Sequence, residues 1–132
     1  MDAKHIIAEL QGRLDRADES ARRLSEHGDI DRWIKSMGCS VSEVYETIAA
    51  ELAKGYSQGR YSFELCDDIA NELFRAWGQM ALRDPTKGNF PELFYEVFLA
   101  FDAGEFHHLP DKSDDPVKDY TDPLIAKILV RF

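Results

Sequence analysis

Two adjacent histidines, His107 and His108, lie in the part of the sequence that is richest in carboxylates. Imidazole and carboxylate groups are common ligands of divalent transition metals, so Asp102, Glu105 and Asp111 make this region a candidate metal site. The chain contains no HExxH, CxxC or HxH arrangement, and the spacing fits no zinc motif. His107 and His108 are therefore weak candidate ligands, and we expect no cofactor. The alternative is a polar loop whose histidines face solvent.

A second group of carboxylates follows the predicted helix over residues 62–80. Glu64, Asp68 and Glu72 are four residues apart, so they share one helix face and repel one another. Arg75 can reach only part of this row, which leaves room for an arginine from another helix or from a partner. These carboxylates and the two histidines could serve a small-ligand or metal-dependent enzyme. The Glu-x-x-His pattern of di-metal bundles is absent from the predicted helices, which favours a solvated acidic face.

The two cysteines offer little nucleophilic chemistry. Cys66 lies on the apolar face of the predicted helix 62–80 beside acids, which raise the pKa of a thiol, so we expect a buried structural residue. Cys39 precedes a helix cap and has no recognisable partner. The sequence contains neither a P-loop nor a GxGxxG motif. We predict no catalytic residue, and enzyme activity stays uncertain, with the balance against it.

Charge and hydropathy limit the classes of partner and compartment. The formal net charge is −9, which argues against nucleic-acid binding, because that requires clustered Lys and Arg. No apolar run approaches the roughly 18 residues that span a bilayer, so we expect no membrane partner. The first residues lack the pattern of a secretory signal, and two isolated cysteines suit a reducing compartment. We expect a cytoplasmic, bacterial-type protein.

Hydrophobic periodicity predicts an all-α chain. Apolar residues recur at helical spacing, and no segment alternates with period two. Ser40-Val41-Ser42-Glu43 is a capping-box sequence, which marks a helix start. We predict a single α-helical domain over residues 1–132, an irregular bundle of five to six helices with a long acidic loop before the last helix. The predicted helices cover residues 2–27, 29–38, 40–54, 62–80, 90–103 and 121–132.

Two of these helices allow more specific predictions about packing. The helix over 2–27 has an apolar heptad seam that could pack inside the bundle or form a homodimer; its members are Ile7, Leu10, Leu14, Ala17, Ala21 and Leu24. The segment Phe90–Phe101 is nearly apolar all round. We expect Phe94, Phe98 and Phe101 to form its core stripe and Tyr95 and Leu99 to be covered on other faces, which makes it the central helix.

The acidic segment that follows is the best candidate for function. Residues 91–123 hold nine carboxylates against two lysines, a local charge of −7. In size, acidity and helical character the chain resembles bacterial immunity or anti-toxin type inhibitors, although it shares no diagnostic motif with them. That resemblance implies a protein-interaction module whose 102–122 loop binds a basic protein. The predicted contacts are Asp102, Glu105, Asp111, Asp114 and Asp115, with Phe106, Tyr120 or Tyr95 as aromatic anchors. A homo-oligomeric structural protein is a further alternative.

Overall fold

The computed structural model describes residues 2–15, 23, 24, 26–84, 86 and 88–132. These residues form six α-helices and no β-strand, which confirms the all-α prediction. Two short π-helical turns, Glu26–Ile30 and Val117–Thr121, precede the second and the last helix. The α-helices are α1 (Ala3–Leu14), α2 (Asp31–Met37), α3 (Val41–Ser57), α4 (Phe63–Arg83), α5 (Glu92–Asp102) and α6 (Asp122–Leu129).

Local capping signals set several of the helix starts. Ser40 and Glu43 form the predicted capping box at the start of α3, and the Ser62 hydroxyl accepts the Leu65 N–H at the start of α4. Gly38 adopts a left-handed conformation with φ 65° and ends α2, as its position predicted. These caps involve residues only a few positions apart in the chain, so they fix the helix boundaries without help from the rest of the fold.

The first predicted helix is wrong in its length. α1 ends at Leu14, and Leu24 is not helical. Ala17 and Ala21, two members of the predicted seam, lie outside the described residues. Ile7 and Leu10 of α1 are buried in the core of their own chain, so this half of the seam is not open to a second copy. The homodimer through residues 2–27 stays a prediction, since Ala17 and Ala21 of its seam lie outside the described residues.

The centre of the bundle is α3, which contacts each of the other five α-helices. Tyr45 of α3 is completely buried and donates a hydrogen bond from its hydroxyl to the Leu73 carbonyl over 2.7 Å. Its ring lies edge-on to Trp77 and Phe94, with centroid distances of 5.0 and 4.9 Å. These contacts join α3, α4 and α5 in one core.

α5 is not surrounded, contrary to the expectation from its composition. Phe94 and Phe101 are fully buried, but Tyr95 and Leu99 are 41% and 43% exposed. Phe98 is only half-buried and stacks on Phe74 at a centroid distance of 4.1 Å. An apolar helix can therefore keep one face open, because α6 covers only part of it.

The two ends of the acidic segment are held together by a close approach at Gly104. A Cβ atom at this position would lie 2.3 Å from Oγ1 of Thr121, which is closer than real Cβ atoms come. Thr121 is fully buried and donates its hydroxyl hydrogen to the Ala100 carbonyl over 2.7 Å. The end of α5 is thus fixed against the π-helical turn that leads into α6.

Candidate functional site

The acidic loop, residues 102–122, is built around one buried carboxylate. The side chain of Asp114 is only 2% exposed. Its Oδ2 accepts the backbone N–H of His108 and the hydroxyl of Tyr120, each over 2.8 Å, and its Oδ1 lies 3.1 Å from Nδ1 of His107. Burial alone would raise the pKa of Asp114, but these three hydrogen bonds outweigh it and hold the pKa well below its usual range.

This position changes the role predicted for Asp114. A carboxylate with three internal partners and almost no exposed surface cannot serve as a direct contact for a partner. Tyr120 is also partly internal, since it is half-buried and its hydroxyl is used by Asp114. The pattern of the sequence marked both residues as surface groups, because it cannot reveal which acid of a loop turns inward.

The imidazole of His108 connects two aromatic rings inside the loop. Phe106 stacks on it at a centroid distance of 5.0 Å, and the Tyr120 ring lies 3.8 Å away on a tilted plane. Its Nε2 lies 2.8 Å from the Ala103 carbonyl, so this nitrogen carries the hydrogen and donates it. His107 and His108 are thus both engaged in holding the loop. Within the described part of the chain, no group of three or more His, Cys, Asp or Glu could hold a metal ion.

Three other predicted contact residues of the loop, Asp111, Asp115 and Phe106, face outward. Asp111 and Asp115 are exposed, and each accepts one backbone N–H inside the loop, from Ser113 over 3.1 Å and from Lys118 over 3.3 Å. The bonds from Ser113 lower the pKa of Asp111. Phe106 is 53% exposed, and the neighbouring Leu109, which the sequence did not mark, is 47% exposed. The outer surface of the loop therefore combines carboxylates with two apolar side chains.

Glu105 joins the base of the loop to α4 through a pair of carboxyl groups. Glu105 is hydrogen-bonded to the half-buried Asp67 and also accepts the Asn71 side-chain amide over 3.0 Å. Burial raises the pKa of Asp67, and the negative charges of Glu105, Asp68 and Asp102 act in the same direction. The raised pKa favours a proton on Asp67, which its carboxyl then shares with Glu105 through their hydrogen bond. Burial and the charge of Glu105 also raise the pKa of Asp102.

The three carboxylates of the predicted row on α4 do not meet at one site. Glu72 is bound within the fold, since its Oε1 accepts the Leu24 N–H over 2.8 Å and the Nε of Arg75 over 3.0 Å. Arg75 also donates to the Leu24 carbonyl over 3.1 Å. The contact with Arg75 follows from helical spacing, whereas the contact with Leu24 does not, because Leu24 is 48 residues from Glu72. Asp67 and Asn71 are the residues of α4 that contact Glu105 of the loop, and both lie beside the predicted row.

The sequence also contains a GxSxG pattern at Gly55-Tyr56-Ser57-Gln58-Gly59. In serine hydrolases this motif forms a sharp turn between a strand and a helix, which exposes the serine next to a base. Here Ser57 is the last residue of α3, and no strand precedes it among the described residues. The depression beside Ser57 is lined by Tyr56, Asp122, Ile125 and Ala126, none of which is a histidine or lysine. The pattern therefore lacks the geometry of a nucleophile.

Cys66 is fully buried, as expected. Its Sγ lies 3.9 Å from the Leu52 carbonyl, and burial together with the charge of Asp67 raises the pKa of the thiol to about 12. A thiol with so high a pKa stays protonated at neutral pH and is a poor nucleophile. Cys39 is half-buried and packs against the core.

A groove of about 460 Å³ lies between α5 and α6. The buried Ala100 and Ile128 form its floor, and Leu99 and Leu124 rise from it, 43% and 40% exposed. Its charged lining residues are Glu96, Lys127 and Arg131. Leu124 lies on the apolar face of α6, and α5 leaves this part of that face uncovered.

Comparison with known protein families, curated proteins and solved structures finds no match for this chain. Among the residues that the structure describes, no helix is both long and apolar enough to cross a membrane.

Proposed function

We propose that this protein is a small interaction module that binds a basic protein partner through the outer surface of the acidic loop. The observation that carries the proposal is the buried carboxylate of Asp114. Its three hydrogen bonds fix the backbone from His107 to Tyr120, while Asp111, Asp115 and Phe106 stay at the surface. A loop that is ordered before binding loses less conformational entropy in the complex.

The charge of the loop suits a basic partner. Residues 102–122 contain seven carboxylates and two lysines, and the loop belongs to a chain with a net charge of −9. A concentrated negative field attracts a positive partner and raises the association rate, more so at low salt. Phe106 and Leu109, both about half exposed, supply apolar area that could be buried at the centre of such a contact.

The basic partner that we propose is a toxin or nuclease domain. An immunity or anti-toxin type inhibitor neutralises a basic toxin or nuclease domain, and an acidic, preorganised loop is suited to that task. In this view Asp111 and Asp115 meet Lys or Arg of the partner, and Phe106 enters a pocket next to them. Asp102 and Glu105, at the base of the loop, extend the negative surface toward α4.

The test is capture of basic proteins on the immobilised chain from a lysate of its source cell, at low and at moderate salt. The variant is Asp111→Asn with Asp115→Asn, because asparagine keeps the acceptor oxygens that Ser113 and Lys118 use and removes only the charges. The matched control is Asp15→Asn with Asp31→Asn, which removes one charge just after α1 and one at the start of α2.

We expect a basic protein to be retained at low salt, to be retained less at moderate salt, and to bind the loop variant at least about tenfold more weakly. The control should bind as the native chain does. Equal capture by the loop variant and the native chain would sink the proposal.

A further inference from the structure

The groove between α5 and α6 leaves apolar surface uncovered in a single copy of the chain. Leu99 and Leu124 stand at its sides, and Tyr95, one helical turn before Leu99, is exposed to a similar extent. The volume of about 460 Å³ is within the range of protein binding clefts. Exposed apolar surface of this kind, beside charged groups, is typical of an interface.

The charges of the groove are divided between its two helices. The α5 wall carries Glu96, and the α6 wall carries Lys127 and Arg131. Arg131 is already paired with Glu96 of the same chain. The groove is thus negative along one wall and positive along the other, on a chain that is otherwise strongly acidic.

Two copies of this groove can face each other with opposite charges in contact. If a second copy faces the groove with the two-fold axis parallel to it, α5 of each copy lies over α6 of the other. Each Glu96 then faces the basic α6 wall of the other copy, which carries Lys127 and Arg131, and the leucines of each copy enter the opposite groove. A two-fold axis across the groove would instead oppose like charges, so the charges select one orientation.

We infer that a second copy of this chain docks in the α5–α6 groove and forms a symmetric dimer. Among the described residues, Ile6, Ile7 and Leu10 of α1 are buried in the core, whereas α5 and α6 expose Leu99 and Leu124 along their groove. The contact uses a different surface from the acidic loop and stands independently of the proposed function. Two acidic chains repel one another, so the match of Glu96 with Lys127 is what makes the approach favourable.

The test is analytical ultracentrifugation of the native chain and of charge variants over a concentration series. In Glu96→Lys both contacts oppose two positive charges, and in Lys127→Glu both oppose two negative charges. Each variant alone should raise the dissociation constant of the dimer at least about tenfold. In an equimolar mixture of the two variants every contact between positions 96 and 127 again joins opposite charges, so a heterodimer should form with nearly native affinity.

Two controls separate this contact from general effects. Lys35→Glu, on the exposed surface of α2, changes the net charge as much as Lys127→Glu and should leave the dimer unchanged. Leu99→Ser should weaken the dimer while the helical circular dichroism stays native, because Leu99 is largely outside the core. A native chain that stays monomeric at several hundred micromolar overturns the inference. So does a dimer that ignores these substitutions, or single variants whose mixture does not reassociate.

Discussion

The hydroxyl of Tyr120 donates a hydrogen bond over 2.8 Å to Oδ2 of Asp114, and this bond joins the middle of the acidic loop to the turn before α6. The same oxygen accepts the N–H of His108, so one carboxylate holds three points of the chain together. The loop is therefore an ordered structure built on an internal charge, and its outward carboxylates keep fixed positions relative to Phe106.

Replacing the tyrosine tests this arrangement. Tyr120→Phe keeps the ring against His108 and removes only the hydroxyl, so Asp114 loses one of its three donors. We expect the melting temperature to fall by a few degrees and amide hydrogen exchange between residues 105 and 116 to accelerate. Tyr95→Phe is the matched control, because the Tyr95 ring is partly exposed on α5. Unchanged exchange in the loop would show that the bond does not order it.

The acid limb of the stability curve should report on Asp114. Its pKa is lower in the folded chain than the ordinary value of about 4. The stabilisation is therefore complete above the unfolded pKa and disappears as the pH falls through the folded one. We expect Asp114→Asn to lower stability at pH 7 and to flatten the decline below about pH 4, measured by urea unfolding. A decline as steep as that of the native chain would contradict this assignment.

The Asp67–Glu105 pair should change stability with pH in the opposite direction. The folded chain keeps a proton on Asp67 that the unfolded chain releases above about pH 4. Stability from this pair is therefore present at low pH and is lost as the pH rises through the raised pKa of Asp67. Asp67→Asn places a neutral donor beside Glu105. We therefore expect its gain in stability over the native chain to be at least about 1 kcal/mol larger at pH 8 than at pH 5.

The control for this experiment is Asp68→Asn, on the neighbouring exposed position of α4. It removes a nearby charge without replacing the shared proton, so the difference between its stability and that of the native chain should change much less with pH. The measurement is urea unfolding at both pH values for the three chains. Equal pH slopes in the native chain and in Asp67→Asn would exclude the shared proton.

Gly104 should tolerate no side chain. A methyl group would lie 2.3 Å from Oγ1 of the buried Thr121 and 2.8 Å from the ring of the half-buried Phe63. We expect Gly104→Ala to cost about 1–3 kcal/mol in unfolding free energy. Gly12→Ala, on the exposed face of α1 with no atom within 4 Å of the added carbon, should instead stabilise by up to about 1 kcal/mol. Equal effects at both positions would contradict the close approach.

Two phenylalanines of α5 should differ in their contribution to stability. Phe94 is fully buried against Tyr45, so Phe94→Ala should cost about 3–5 kcal/mol. Phe98 is half-buried and stacked on Phe74, so Phe98→Ala should cost clearly less, about 1–2 kcal/mol. Chemical unfolding of both variants gives the comparison. A cost at position 98 equal to that at position 94 would place Phe98 in the core, as the sequence had predicted.

The helical class and most of the helix starts were decided by the sequence. The capping box at Ser40, the serine before α4 and the left-handed Gly38 need only their nearest neighbours in the chain, so their physics is local and is visible in the residue pattern. The burial of Phe94 and Cys66 also followed from helical spacing. The end of α1 at Leu14 did not, because the heptad pattern continues past it.

The candidate sites were decided only by the tertiary structure. Which carboxylate turns inward depends on donors that the fold brings to it, and Asp114 receives them from His108 and Tyr120 across a closed loop. The pairing of Asp67 with Glu105 requires α4 to lie against the end of α5, 38 residues further along the chain. The open groove likewise exists because α6 covers only part of α5. Composition located the charge and the apolar residues, and packing decided which of them face a partner.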